Sequence, residues 1–347
     1  MKDAKEGSSY SSGMTKAAMI MIFIFIIFVI VMLIFIIAAV IVFSDSGVVF
    51  ENGRTIKGKE VTPFREIPCN KDIFLFYYLA KKLGIISGDE SRENLVSGFI
   101  LKWVRDGIIT IRENESGAIV KKKNYDMYLD VDAKFENKQE TTLYKMFILA
   151  SKDGVLQTKA FQKWCGKHYK KIDDWFTKVD NVTEDSMNKN GYAKTKTVYK
   201  RLLFWNIPRD RTVWTDKAYD QCLYVWGFNN FLEDEDNMKE KAAIEVKLWD
   251  EYLIFAAVLG IADRVEKQLK VAIPRYEETS TYNNFPIYYY THTFAHNSMS
   301  AASSAASAGQ GGSSSFSGGG GGFSGGGGGG VRLSQDFFLS FFLVEEK

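Results

Sequence analysis

The sequence predicts a mainly α-helical membrane protein with small β-hairpins. Three observations carry that reading. One long apolar run without charge lies near the start, a charged and aromatic middle shows helical spacing broken by short alternating stretches, and the end is built from Ser, Ala and Gly. The expected fold is one transmembrane helix, two winged-helix-like cytoplasmic modules, a helical segment and a disordered Gly-rich tail. Its expected boundaries are 1–16 for a short N-terminal tail, 17–43 for the transmembrane helix, 66–132 and 142–213 for the modules, 216–270 for the helical segment, 297–330 for the tail and 331–347 for an apolar extension.

The chain has 347 residues, enough for two ordinary domains plus extras. A net charge of +2 implies no global pull toward nucleic acid or acidic partners. Cys69, Cys165 and Cys222 form an odd, sparse set. Such a set argues against a disulfide framework and suits a reducing compartment.

Ala17 to Phe43 reads AAMIMIFIFIIFVIVMLIFIIAAVIVF, with no charged residue, Pro or Gly. A helix needs about 20 apolar residues to cross a bilayer, so this run spans with room to tilt. A cleaved signal peptide would carry an apolar core of about 7–15 residues, which favours a retained anchor. Lys2, Lys5 and Lys16 flank one side, and Arg54, Lys57, Lys59 and Arg65 the other. That bias and the unpaired cysteines favour a cytoplasmic C-terminal side, hence a single-pass protein of the cell membrane. Tyr252 to Ala262 is also apolar, but acidic and basic residues bracket it at about half a span, so it reads as a buried core helix.

In the first module, Asp72 is placed to cap a helix over 73–83 that Gly84 ends. Ile73, Phe76, Tyr77, Ala80 and Leu83 mark its apolar face. A second helix is expected over 93–106, with Gly107 as its stop. IITIRE and AIVKKK then alternate around Asn114 to Gly117, which reads as a hairpin. The second module repeats this scheme. Leu143, Phe147 and Ala150 begin one helix, and another starts near Thr158. Lys159, Lys163, Lys167 and Lys171 recur at spacing four on it as one stripe, opposite Phe161, Trp164, Cys165 and His168. Asp216 to Leu232 and Val246 to Leu269 read as two further helices, the second carrying Trp249, which is expected to be buried against the second module.

ENLVSGFILKWVRDG (93–107), LWDEYLIFAAVLGIADRVEKQL (248–269) and the GGGGGFSGGGGGG ending together resemble the YciQ-like predicted bacterial membrane proteins, the domain of unknown function 2207. The resemblance runs from the anchor to Gly330. It implies an integral membrane protein with a cytoplasmic C-terminal region, and no catalytic residues, since the family has no established activity. Three departures are expected. The large outer domain before the anchor is missing, VYKRLLFWNIP stands where many members place a membrane hairpin, and VRLSQDFFLSFFLVEEK follows the glycines. The chain reads as a shortened paralogue or a fragment.

Few residues point to chemistry. Cys165 and His168 form a C-x-x-H pair with no matching second pair, and His292 and His296 sit four apart in a segment that reads as loose, so core packing and chance outweigh a zinc site. The glycine run lacks the Lys-Ser/Thr ending of a phosphate loop, and there is no G-x-S-x-G. No enzyme activity, cofactor or metal is expected. The lysine stripe admits three readings: a solvated face, contact with anionic lipid headgroups or a protein partner, and nucleic acid as the least favoured. Residues 66–122 carry 9 basic and 8 acidic residues, which lack the footprint of a DNA reader. The expected role is a membrane-tethered interaction or scaffold protein, with the lipid bilayer and unknown proteins as partners. The alternative is a membrane-tethered nucleic-acid-binding regulator. From Asn297 to Gly330, glycine's entropy and the lack of apolar surface predict a flexible tether spanning about 30–35 Å. It would carry FFLSFFLV, which inserts at a membrane surface, docks on a partner, or is an extension without a role.

Overall fold

The computed structural model describes residues 19–36, 48–116, 122–202, 205–234, 246–272, 281–282 and 287–310. Residues through Ser307 group in one compact unit, and Ala308–Lys347 form a second. Helix α1 (Met19–Ile36) is the apolar run; its mean hydropathy is 3.6 and none of it is buried. An uncharged helix with a fully exposed apolar surface needs an apolar surrounding, which a bilayer supplies. The expected ends of this span, at 17–18 and 37–43, lie outside the described residues.

Val48 to Glu66 runs as a strap along a later helix, α7 (Asp216–Glu233). Phe50 bridges in parallel to Trp214, the Phe64 N–H donates to the Gly227 carbonyl at 2.8 Å, and Asn230 Nδ2 donates to the carbonyls of Gly58 and Val61, each at 2.8 Å. The approach is close because Gly227 has no side chain; a Cβ there would lie 2.7 Å from the Thr62 carbonyl oxygen.

Helix α2 (Ile73–Lys82) starts where the sequence puts it, since the Asp72 carboxylate accepts from the N–H groups of Phe74 and Leu75. Helix α3 (Glu90–Arg105) ends before Gly107, at φ +73°. The hairpin differs from expectation. Strand β1 (Ile109–Ser116) pairs antiparallel with β2 (Lys122–Leu129), Ile109 opposite Leu129. Asn114, Glu115 and Ser116 therefore belong to β1 rather than to a turn, the described part of the second strand is Lys122–Leu129, and residues 117–121 of the expected hairpin lie outside the described residues. Burial decides this register: Ile109, Met127 and Leu129 are all in the core, and a one-residue slip would turn each outward.

Helix α4 (Lys138–Ala150) leads to β3 (Val155–Gln157), α5 (Thr158–Lys167), α6 (Tyr169–Lys189) and a two-stranded ribbon of β4 (Ala193–Leu202) and β5 (Trp205–Trp214). Residues 198–202 and 205–208 of the VYKRLLFWNIP segment belong to that ribbon. Strand β3 pairs with β2, Leu156 opposite Met127, so one three-stranded sheet crosses the expected boundary between 66–132 and 142–213.

Sequence reading makes Val246–Leu269 one helix, but it is two: α8 (Val246–Leu259) and α9 (Ala262–Ala272). Gly260 at φ +77° stops the first, with its N–H on the Ala257 carbonyl and the Ile261 N–H on Ala256. This paired closure is a Schellman motif, which glycine's freedom at positive φ permits. Trp249 is buried as expected, but its helix packs on α3 of the first module rather than on the second module. The reason is a close crossing at Gly98, where a Cβ would lie 2.7 Å from Val258 Cγ2.

The expected tether does not begin at Asn297. Helix α10 runs Ile287–Gln310, so residues 297–310 continue it. Its first half carries the apolar face that the Ser- and Ala-rich second half extends: Phe294, Ala295, Met299 and Ala302 are buried. The Phe294 ring lies 5.8 Å from Phe147 and 5.2 Å from Phe161, and Ser97 and Thr291 share a hydrogen bond at 3.2 Å. Small residues let the helix approach closely, as at Ala301 against Gly166. The expected tail from 311 to 330 and the extension 331–347 lie outside the described residues, as does the N-terminal tail 1–16.

Candidate functional site

A cleft of about 420 Å³ opens where the first turns of α2 and α4 meet the last turns of α6. Local sequence explains each wall. Asn137 caps α4, its Oδ1 accepting from the N–H groups of Gln139 at 2.7 Å and Glu140 at 3.3 Å. Burial of Ile172, Trp175, Phe176, Val179, Thr183 and Met187, at spacings of three and four, lays α6 against the body. Trp175 Nε1 donates to the Gln139 carbonyl at 2.9 Å and ties the two helices. The rim is Cys69–Asn70–Lys71, three non-glycine residues at φ 59°, 50° and 64°. That left-handed turn costs about 1–3 kcal/mol per residue unless its surroundings hold it. The Cys69 N–H donates to Gln221 Oε1 at 3.1 Å and the Asp72 N–H to the Cys69 carbonyl at 2.9 Å.

Two charged side chains line this cleft. Asp72 accepts from two helix N–H groups, and Lys217 Nζ donates to the Asn190 carbonyl at 3.1 Å. Its floor is Phe74, Gln139, Thr183 and Met187, all buried. Gln139 Oε1 has no hydrogen-bond partner. A buried acceptor left unmade costs about 1–3 kcal/mol. Burial pushes the Cys69 thiol well up, with Asp72 and Cys222 adding to the effect, so it stays protonated and unreactive at neutral pH. The cleft therefore sets a largely buried floor beside an exposed ammonium, that of Lys217, at its edge.

The residues singled out in the sequence lie elsewhere. Lys159, Lys163, Lys167 and Lys171 are all exposed. They do not ride one helix. α5 ends at Lys167, His168 leaves helical geometry at φ −118° and ψ 30°, and Lys171 belongs to α6. Cys165 is buried in the core, and His168 stacks on Trp164 at 4.4 Å with Nδ1 2.9 Å from that residue's carbonyl. His292 and His296 are not in a loose segment; they stack one turn apart on α10, ring centroids 6.5 Å apart. His296 Nδ1 meets Glu93 Oε2 of α3 at 2.9 Å. Glu93 is buried, so this pair fastens α10 to the central helix. Among the described residues, no group of three or more His, Cys, Asp and Glu is assembled to hold a metal. Sequence reading missed Asn137 and Gln139, although Asn137 followed three residues on by Glu140 carries a capping signature.

Together these features define a mostly helical protein with, among the described residues, one candidate membrane helix near its N-terminus. Residues 201–269, which take in the end of β4, then β5, α7, α8 and most of α9, match the family described as "Predicted membrane protein (DUF2207) C-terminal domain". This is consistent with a DUF2207-like protein, and it covers the second of the three stretches that carry the resemblance in the sequence. No curated protein and no solved structure matches the chain.

Proposed function

We propose that this chain is a single-pass, membrane-tethered interaction or scaffold protein whose region after the anchor lies in the cytoplasm. The observation that carries the reading is α1, an apolar helix with no buried residue, in a chain whose strap binds the following residues firmly to α7. The free, buried state of Cys69, Cys165 and Cys222 supports a reducing compartment. The order α4, β3, α5, α6 and the β4–β5 ribbon supports a winged-helix-like arrangement, with β3 lent to the preceding hairpin. The break at His168 takes away the continuous basic stripe on which a nucleic-acid reading, and a lipid-headgroup reading of the same lysines, would rest.

The test is cross-linking in native membranes followed by isolation of the chain. The chain stays in the membrane through an alkaline wash and carries reproducible protein cross-links. Release by the wash, or digestion of the region after the anchor by protease added outside intact cells, overturns the reading.

A further inference from the structure

We propose that one face of the β4–β5 ribbon docks on an anionic bilayer surface beside the anchor. This rests on the membrane-tethered, cytoplasmic reading above and names the surface that the ribbon meets.

The register sorts the charges. Directly opposite residues of an antiparallel pair share a face, and faces alternate along each strand. One face takes the rows Lys196 with Arg211, Val198 with Arg209, and Lys200 with Ile207. Lys194 opens the same face at the base, where Glu51 pairs with it. Asp210, the one acid of the two strands, falls on the other face, and Thr197 Oγ1 donates to it at 2.7 Å. Lys196, Lys200, Arg209 and Arg211 thus share, by register, a face to which neither strand brings a carboxylate. Lys196 directly opposite Arg211 is a like-charge row, which a ladder disfavours in water. Residues 194–197, 199, 208 and 210 are exposed, so this part of the ribbon has no covering layer on either face. A bare two-stranded ribbon is marginal in water, and a surface of anionic headgroups supplies both the cover and the counter-charge. The face also changes along its length. Cations dominate near Arg211, and the last row is Leu202 with Trp205. Charge followed by apolar and Trp positions is the order in which a bilayer presents headgroups and acyl chains.

The chain itself holds a bilayer within reach. At the ribbon base the Trp214 N–H donates to the Val49 carbonyl at 2.8 Å, and the Glu51 N–H donates to the Trp214 carbonyl at 2.7 Å. Val49 follows Ile36, the last described residue of α1, by 13 positions. At most about 45 Å of chain therefore separates the ribbon base from the span. Each strand has 10 residues, which makes the ribbon about 30 Å long. A nucleic acid would bring phosphate too, but no link of this kind keeps it beside the ribbon.

The experiment uses the full chain in lipid nanodiscs, with Tyr199→Cys carrying a donor fluorophore and trace lipid carrying the acceptor. Tyr199 is 71% exposed on the face away from the cations, and Cys69, Cys165 and Cys222 are buried, so the label goes to one position. Energy transfer is high in discs with about one-third phosphatidylserine, low in phosphatidylcholine alone, and lost in about 1 M salt, where screening acts within about 3 Å. Each cation near such a surface strengthens contact by about fivefold, so Lys196→Gln with Lys200→Gln lowers the ratio of docked to undocked ribbon by about 25-fold. The melting temperature holds, because the pair also removes the like-charge row. Lys145→Gln with Lys178→Gln takes the same charge from exposed positions on α4 and α6 and leaves the transfer unchanged. Equal transfer in the two kinds of disc, transfer that survives the salt, or an equal loss in the α4 and α6 variant overturns the proposal. So does a DNA duplex that abolishes the transfer when added at equal phosphate to the anionic discs, which would give the face to nucleic acid. Release of the chain by the alkaline wash removes the anchored reading and this proposal together, whereas a retained chain whose transfer ignores phosphatidylserine sinks this proposal alone.

Discussion

Replacing Gly98 by Ala tests the crossing on which the fold is built. Gly98 lies inside α3, where Ala is favoured over Gly by about 1 kcal/mol from helix propensity alone. Propensity therefore predicts a more stable protein. The structure predicts the opposite sign. The new methyl would lie 2.7 Å from Val258 Cγ2 and 3.3 Å from the Ile254 carbonyl oxygen, and α8 must shift to admit it. Overpacking of this kind costs about 1–3 kcal/mol, which outweighs the propensity and leaves a net loss of about 1 kcal/mol. For a unit of this size that lowers the melting temperature by about 2–4 °C. Val258→Ala alone loses buried apolar volume and costs about 2 kcal/mol. The double variant, however, makes room for the methyl, so the two changes couple favourably by about 1–2 kcal/mol. Thermal melts of the four proteins in detergent, followed by tryptophan fluorescence, measure the cycle. A rise of a few degrees in Gly98→Ala, with strict additivity in the double variant, would refute the close crossing of α3 and α8.

Asp72→Ala removes the two hydrogen bonds that start α2 and lowers stability by about 1 kcal/mol, while Asp72→Asn restores most of it in denaturant titration. Phe294→Ala costs about 3–5 kcal/mol, and hydrogen exchange is slow from Phe294 to Ala302; fast exchange there would return residues 297–310 to the expected tether. Burial pushes the Cys165 thiol up to about 12, so the folded protein holds this proton where the unfolded chain releases it. The stabilising effect is complete below the ordinary thiol range near 8.5 and is lost as pH rises toward 12. Native labelling by a thiol reagent therefore stays slow from pH 7 to 9 while the denatured chain labels fully; rapid native labelling at pH 9 would contradict the burial.

Local chemistry made part of this legible. Asp72 before an apolar run, Gly84 and Gly107 after two others, and the uncharged span near the N-terminus each act within a few residues, and sequence shows them directly. What stayed hidden depends on distant partners. Nothing near Leu156 says that it will lie opposite Met127, and nothing near Trp249 says that its helix will cross α3 rather than the second module. The turn was expected too early because Asn114 and Gly117 carry turn chemistry, whereas burial of Met127 and Leu129 holds Asn114 to Ser116 in β1. Residues 297–310 resembled a tether because Ser and Ala lack bulk, the property that lets α10 lie close to Gly166. At the cleft, the cap at Asn137 was readable and the placement of Gln139 under it was not, since the floor is assembled from three separate helices.

The pairing of α3 with α8 sets an order of events during synthesis. Helix α3 buries Leu95, Val96, Phe99, Ile100, Leu101 and Trp103, which leaves it almost no solvent face. Its partner begins only at Val246. A ribosome adding about 5–20 residues per second reaches that point roughly 7–30 s after completing α3. Throughout that interval the face of α3 that α8 will cover stays open, while Phe99 and Trp103 can already pack on Phe74, Tyr144 and Phe147. Sensitivity to a stall between Arg105 and Val246 is the consequence expected of this topology.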